Sequence, residues 1–171
     1  MIRFISIGTL LTAVWLASSL LTWVDVRDYH SDDSALIGTL IGSELNPLTG
    51  LVPLIVLLIS MIARYRALSR AMAGMASMIA VAVVIVILLA NWSDSNAVLE
   101  LISSATGLAT SSGFGVVVKS GYWIYLGLAI ITAVIFAIAT FLPGREQPAG
   151  RNVETVYIKA EHENLWDEQS N

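Results

Sequence analysis

Apolar residues gather in four long runs that carry no ionisable side chain: 4–24, 48–63, 71–92 and 122–142. A helix rises 1.5 Å per residue and a bilayer core is about 30 Å thick, so about 20 such residues suffice to cross it. Three runs reach that length. The run 48–63 is shorter, but Arg64, Tyr65 and Arg66 at its end can snorkel, and Pro53 sits in its first turns, where a missing N–H costs least. The pattern predicts an all-α integral membrane protein. Residues 1–142 form its four-helix transmembrane domain and 143–171 a hydrophilic tail. The first run is too long for a signal-peptide core and lacks a small-x-small cleavage site, so it is expected to be retained.

Basic residues orient the runs. With the N-terminus inside, Arg3, the turn residues Arg64, Arg66 and Arg70, and Arg145, Arg151 and Lys159 of the tail all fall on the cytoplasmic side; Arg27 and Lys119 fall outside. That imbalance predicts an N-in/C-in, multi-pass protein. Trp23, Trp92, Tyr122 and Trp123 would then lie at the outer boundary as an aromatic belt. The first outer connection, 25–47, is expected to lie on the membrane surface. In the second, Asp94 is expected to cap a short amphipathic outer helix whose Val98, Leu101, Ile102 and Ala105 face the interface. The Gly/Ser/Thr-rich stretch after it reads as a loop.

Composition agrees with a lipid-facing chain: 56% of residues are hydrophobic and 13% charged, against about 25% charged in soluble domains. Cysteine is absent, which excludes disulfides and thiolate chemistry. A net charge of −4 without a basic tract argues against a nucleic-acid partner.

Candidate chemistry is sparse. The runs hold Ser and Thr but no carboxylate or histidine to relay protons, and no broken-helix pair marks a midplane site. Asp25, Asp28, His30, Asp32 and Asp33 form the densest polar cluster. Such a set can ligate a divalent cation or act as acid and base; a solvated acidic loop is the simpler reading. Neither a phosphate loop nor a hydrolytic triad is present, so the expectation is a non-enzyme without cofactor or metal.

Small residues at helical spacing are the positive signal: Thr9, Ala13 and Ala17; Ala73 and Ser77; Ala129, Ala133 and Ala137. They allow close helix approach, either within the bundle or to another membrane protein. In the tail, Leu165 and Trp166 stand alone among acids as a candidate anchor.

Several short motifs resemble the tryptophan-associated (Trp-operon region) membrane proteins of actinobacteria. They are Leu21-Thr22-Trp23, Leu51-Val52-Pro53-Leu54, the Arg-bearing turn, Gly121-Tyr122-Trp123 and Leu165-Trp166-Asp167. The resemblance implies a four-helix protein of the bacterial inner (cell) membrane. The expected function is that of a non-catalytic accessory or assembly subunit, with membrane lipids and other integral membrane proteins as partners and a respiratory supercomplex as one candidate host. The alternative is a small transporter or permease-like protein linked to amino-acid metabolism.

Overall fold

The computed structural model describes residues 2–30, 34–64, 69–108 and 110–142. Chain order is α1 (Ile2–Ser18), β1 (Thr22–Asp28), β2 (Ala35–Ile41), the single turn α2 (Gly42–Leu45), α3 (Leu48–Ile62) and α4 (Ser69–Leu89). A 3-10 turn (Trp92–Asp94), α5 (Asn96–Thr106), β3 (Phe114–Val118) and α6 (Ser120–Phe141) follow. The expectation of an all-α chain is corrected: the fold is mostly helical with a small antiparallel sheet in the order β2-β1-β3.

The first apolar run breaks where the sheet begins. Ser18 and Ser19 turn their hydroxyls back to the carbonyls of Trp15 and Leu16, at 2.6 and 2.7 Å, and the helix stops. Beyond them Thr22–Asp28 pairs on both sides as β1, the central strand, with Trp23, Val24, Asp25 and Val26 all buried. The other two strands arise in the stretches expected to be a surface segment and a loop. Both are rich in aliphatic residues that a half-buried pleated surface accepts.

α4 and α6 are long and apolar enough to cross a membrane; α1 and α3, with 17 and 15 residues, are shorter apolar helices. The four helices pack in a ring, α1 against α3, α3 against α4, α4 against α6 and α6 against α1. Small side chains line the bundle interior: Ala73, Ala76 and Ala80 of α4 and Ala129 and Ala133 of α6 are buried, and Gly74 of α4 lies beside Thr140 of α6. Ser77 Oγ donates across the α4–α6 seam to the Ala133 carbonyl at 3.0 Å. On the α1 side, Gly8 leaves room for the Phe136 ring, which an added Cβ would meet at 2.8 Å.

Each helix also leaves an aliphatic face exposed, including Leu10 and Val14, Leu54 and Leu58, Met78 and Leu89, and Ile131 and Val134. Continuous apolar surface of this kind is rare on monomeric soluble proteins and suits association with a membrane.

α5 lies against β2, with Leu101 over Gly38 and with Val98 and Ile102 buried. Its apolar face therefore serves the sheet rather than a membrane interface. The cap also differs from expectation. Ser95 Oγ accepts from the Val98 N–H at 3.4 Å, whereas Asp94 accepts from the Asn91 side chain at 2.8 Å. Gly107, at φ +76°, ends α5 in the left-handed conformation that glycine adopts freely.

Among the described residues the acids (Asp25, Asp28, Glu44, Asp94 and Glu100) all belong to the sheet end together with Arg27 and Lys119, while Arg3, Arg64 and Arg70 are exposed at the other. Arg66, Asp32, Asp33 and the whole tail, with Leu165 and Trp166, lie outside the described residues.

Candidate functional site

The densest arrangement of chemically distinctive side chains lies where the sheet meets the helix ends. Trp23, fully buried on β1, is its centre. Its ring centroid is 4.7 Å from Tyr125, 5.7 Å from Tyr122 and 6.1 Å from Trp92, each inclined steeply as edge-to-face aromatic packing favours. Trp15 of α1 adds a contact to Tyr125 at 5.5 Å. Gly42 lies so close beneath the Trp23 indole that any Cβ there would collide with it. One side chain thus ties α1, α2, β1, the 3-10 turn and α6 together.

The expected aromatic belt is corrected accordingly. Trp23 and Tyr122 are interior and Trp92 is half-buried; Trp123, 63% exposed, is the member that faces outward.

Beside this cluster the side chain of Asp25, 5% exposed, meets Lys119 Nζ through its carboxylate at 2.6 Å. A carboxylate withdrawn from water needs such a partner. The backbone supplies the geometry: Lys119 directly follows β3, and its N–H donates to the Trp23 carbonyl at 2.7 Å. Asp25 is therefore a structural ion-pair member rather than part of a solvated acidic loop. A shallow cleft beside the pair is lined by Leu21, Thr22, Gly121 and Ile124.

At the far tip of the sheet, Asp28 Oδ1 accepts from the His30 backbone N–H at 2.8 Å and lies 2.8 Å from His30 Nδ1. The backbone N–H first, and the imidazole second, hold the Asp28 carboxyl below the usual carboxylate range. The His30 ring packs on Phe114 at 5.1 Å and over Gly113, which takes φ +82°. Among the described residues no group of three His, Asp or Glu side chains could hold a metal ion.

The stripes read from the sequence are divided by the structure. Ser77 and Ala133 meet across the α4–α6 seam, Ala73 and Ala129 are buried in the bundle, and Ala137 is half-buried one turn beyond Ala133. Thr9 is buried, its hydroxyl donating to the Ile5 carbonyl at 2.8 Å. Ala13 and Ala17 are exposed on the outer face of α1. Arg64 and Arg70 are exposed at the end remote from the sheet.

Sequence reasoning missed Trp15, Tyr125 and the Asp25–Lys119 pair as organising residues. A signal for the first two was present: each places a polar-tipped aromatic inside an apolar run, a costly placement unless the ring and its polar tip find neighbours. The alternation around Asp25 was the signal for the third.

No protein-family model, no curated protein and no solved structure matches the chain.

Proposed function

We propose that the chain is a four-pass protein of a bacterial cell membrane, with both termini cytoplasmic and the sheet outside, acting as a non-catalytic accessory subunit for other membrane proteins. The observation that carries the reading is the combination of exposed aliphatic faces on all four helices with a rigid cap at one end. Lipid or protein must cover those faces, and the aromatic cluster fixes the cap to the bundle so that both present one surface. The sorting of Arg3, Arg64 and Arg70 away from the sheet supports the N-in/C-in orientation. In this reading the short α1 and α3 cross the membrane with locally thinned lipid at their ends. The kinship with tryptophan-associated membrane proteins belongs to the same proposal.

Because Ala129 and Ala133 are used inside the bundle, the contact to a partner falls to the outward Ala13 and Ala17 of α1, where small side chains let another helix approach. The test is affinity purification in mild detergent from native membranes. Stoichiometric recovery of an integral membrane protein, lost in the Ala13→Leu/Ala17→Leu variant while folding is retained, is the expected result. Recovery as a lone monomer, or a partner indifferent to the substitutions, overturns the reading.

A further inference from the structure

The cleft beside the Asp25–Lys119 pair sits where the apolar helix surface gives way to the sheet. Asp25 of β1, Lys119 and Ser120 at the start of α6 bring polar groups to it. Leu21, in the α1–β1 connection, and Ile124, in the second turn of α6, bring exposed aliphatic ones.

The ion pair in this cleft is incompletely satisfied. The Asp25 side chain is 5% exposed, yet among the described residues its carboxylate has one partner, Lys119 Nζ on Oδ2. An ionised carboxylate offers about four acceptor positions, and leaving most of them empty away from water is expensive. Because Asp25 lines the cleft, the cleft is the route by which a donor can reach it. Lys119 is open in the complementary sense. Its side chain is 43% exposed, and Asp25 is the one acceptor on its ammonium among the described residues.

We propose that this cleft binds the headgroup of a phospholipid that carries a primary ammonium, of the phosphatidylethanolamine type. The ammonium donates to Asp25, the phosphate accepts from Lys119 and the Ser120 hydroxyl, and the glycerol and acyl chains run along Leu21 and Ile124. Charge selects this class, since a pair of zero net charge is matched by a zwitterion. Phosphatidylglycerol would set a phosphate beside Asp25 with no cation to offset the repulsion. The quaternary ammonium of phosphatidylcholine has no N–H to give the carboxylate. The site rests on the membrane reading above and deepens it by naming one lipid partner.

The test is native mass spectrometry of the full chain in a nonionic detergent, titrated with the dioleoyl forms of these three lipids. One phosphatidylethanolamine should be retained at a concentration about tenfold lower than either of the others requires. Water-soluble glycerophosphoethanolamine, the same headgroup without acyl chains, should not be retained there. Ser120→Glu sets a like charge against the phosphate while suiting the first turn of a helix, so it should abolish the preference in a folded protein. Asp25→Asn combined with Lys119→Met should abolish it too. Equal retention of the three lipids overturns the site, as does a preference that survives Ser120→Glu or the double substitution. Retention of the soluble headgroup as tightly as the lipid assigns the cleft to a soluble zwitterion and overturns the proposal as well. Those results leave the membrane reading standing; a chain that stays monodisperse without detergent overturns both.

Discussion

The Tyr125 hydroxyl donates to the backbone carbonyl of Thr49 at 2.9 Å, from α6 to the first turn of α3. In a regular helix that carbonyl receives the N–H of the residue four positions on, which here is Pro53 and has none. Tyr125 thus replaces a helical bond that the sequence of α3 cannot make, in a place where an unpaired carbonyl is expensive. Tyr125→Phe is expected to cost about 1–2 kcal/mol. In a Pro53→Ala background, where the backbone donor returns, the same substitution should cost clearly less. Thermal unfolding of the four proteins of this cycle in one detergent measures the coupling; additive effects would contradict the compensation.

Two glycines of α6 should respond in opposite ways. A Cβ at Gly121 would collide with the backbone carbonyl of Thr22, which cannot swing aside, whereas Gly127 has open space around it. Gly121→Ala is expected to destabilise by about 1–3 kcal/mol, as overpacking does. Gly127→Ala should be neutral or stabilise by up to about 1 kcal/mol through helix propensity. The shift in unfolding midpoint of each variant decides it, and similar behaviour of the two would refute the close packing of Thr22 on α6.

Losing one member of the Asp25–Lys119 pair should be worse than losing both. Lys119→Met strands a buried carboxylate, and because Lys119 is itself 43% exposed and screened by solvent, the expected cost is about 1–3 kcal/mol rather than the full penalty of a buried pair. Asp25→Asn combined with Lys119→Met should recover part of that loss. Chemical denaturation of the single and double variants measures it, and a double variant less stable than Lys119→Met alone would contradict this account.

At the sheet tip, Asp28 is more acidic when folded than when unfolded, because His30 donates to its ionised form. The contribution to stability is present above the ordinary carboxylate range and disappears as pH falls through the lowered folded value. Carboxyl-carbon NMR should find Asp28 titrating below free aspartate. His30→Ala should bring it part of the way back, since the backbone N–H remains. A normal titration of Asp28 in the intact protein would contradict the contact.

The helices were legible because outward-facing and bundle-facing positions are both apolar, and α4 and α6 fall close to their expected bounds. The sheet was not, for the same reason: Leu20, Leu21 and Trp23 extend an apolar run whether the backbone is helical or extended. Ser18 and Ser19, which end α1, also occur inside membrane helices. Small-residue spacing marked stripes but carried no information on which helices pair or which stripe faces inward: Ser77 meets Ala133, while Ala13 and Ala17 are exposed. Asp25 read as solvated because its cation is Lys119, 94 positions away, and only the β1–β3 register brings them together.

Sidedness tests the central claim most directly. Single cysteines at Asn96 and Ser112, near the sheet, and at Ser170 in the tail can be probed in intact cells with a membrane-impermeant maleimide. The account predicts labelling of the first two from outside and of the third only after permeabilisation. Labelling of all three from the same side, or of none until the cells are opened, would contradict a four-pass bundle with its cap outside and its tail within.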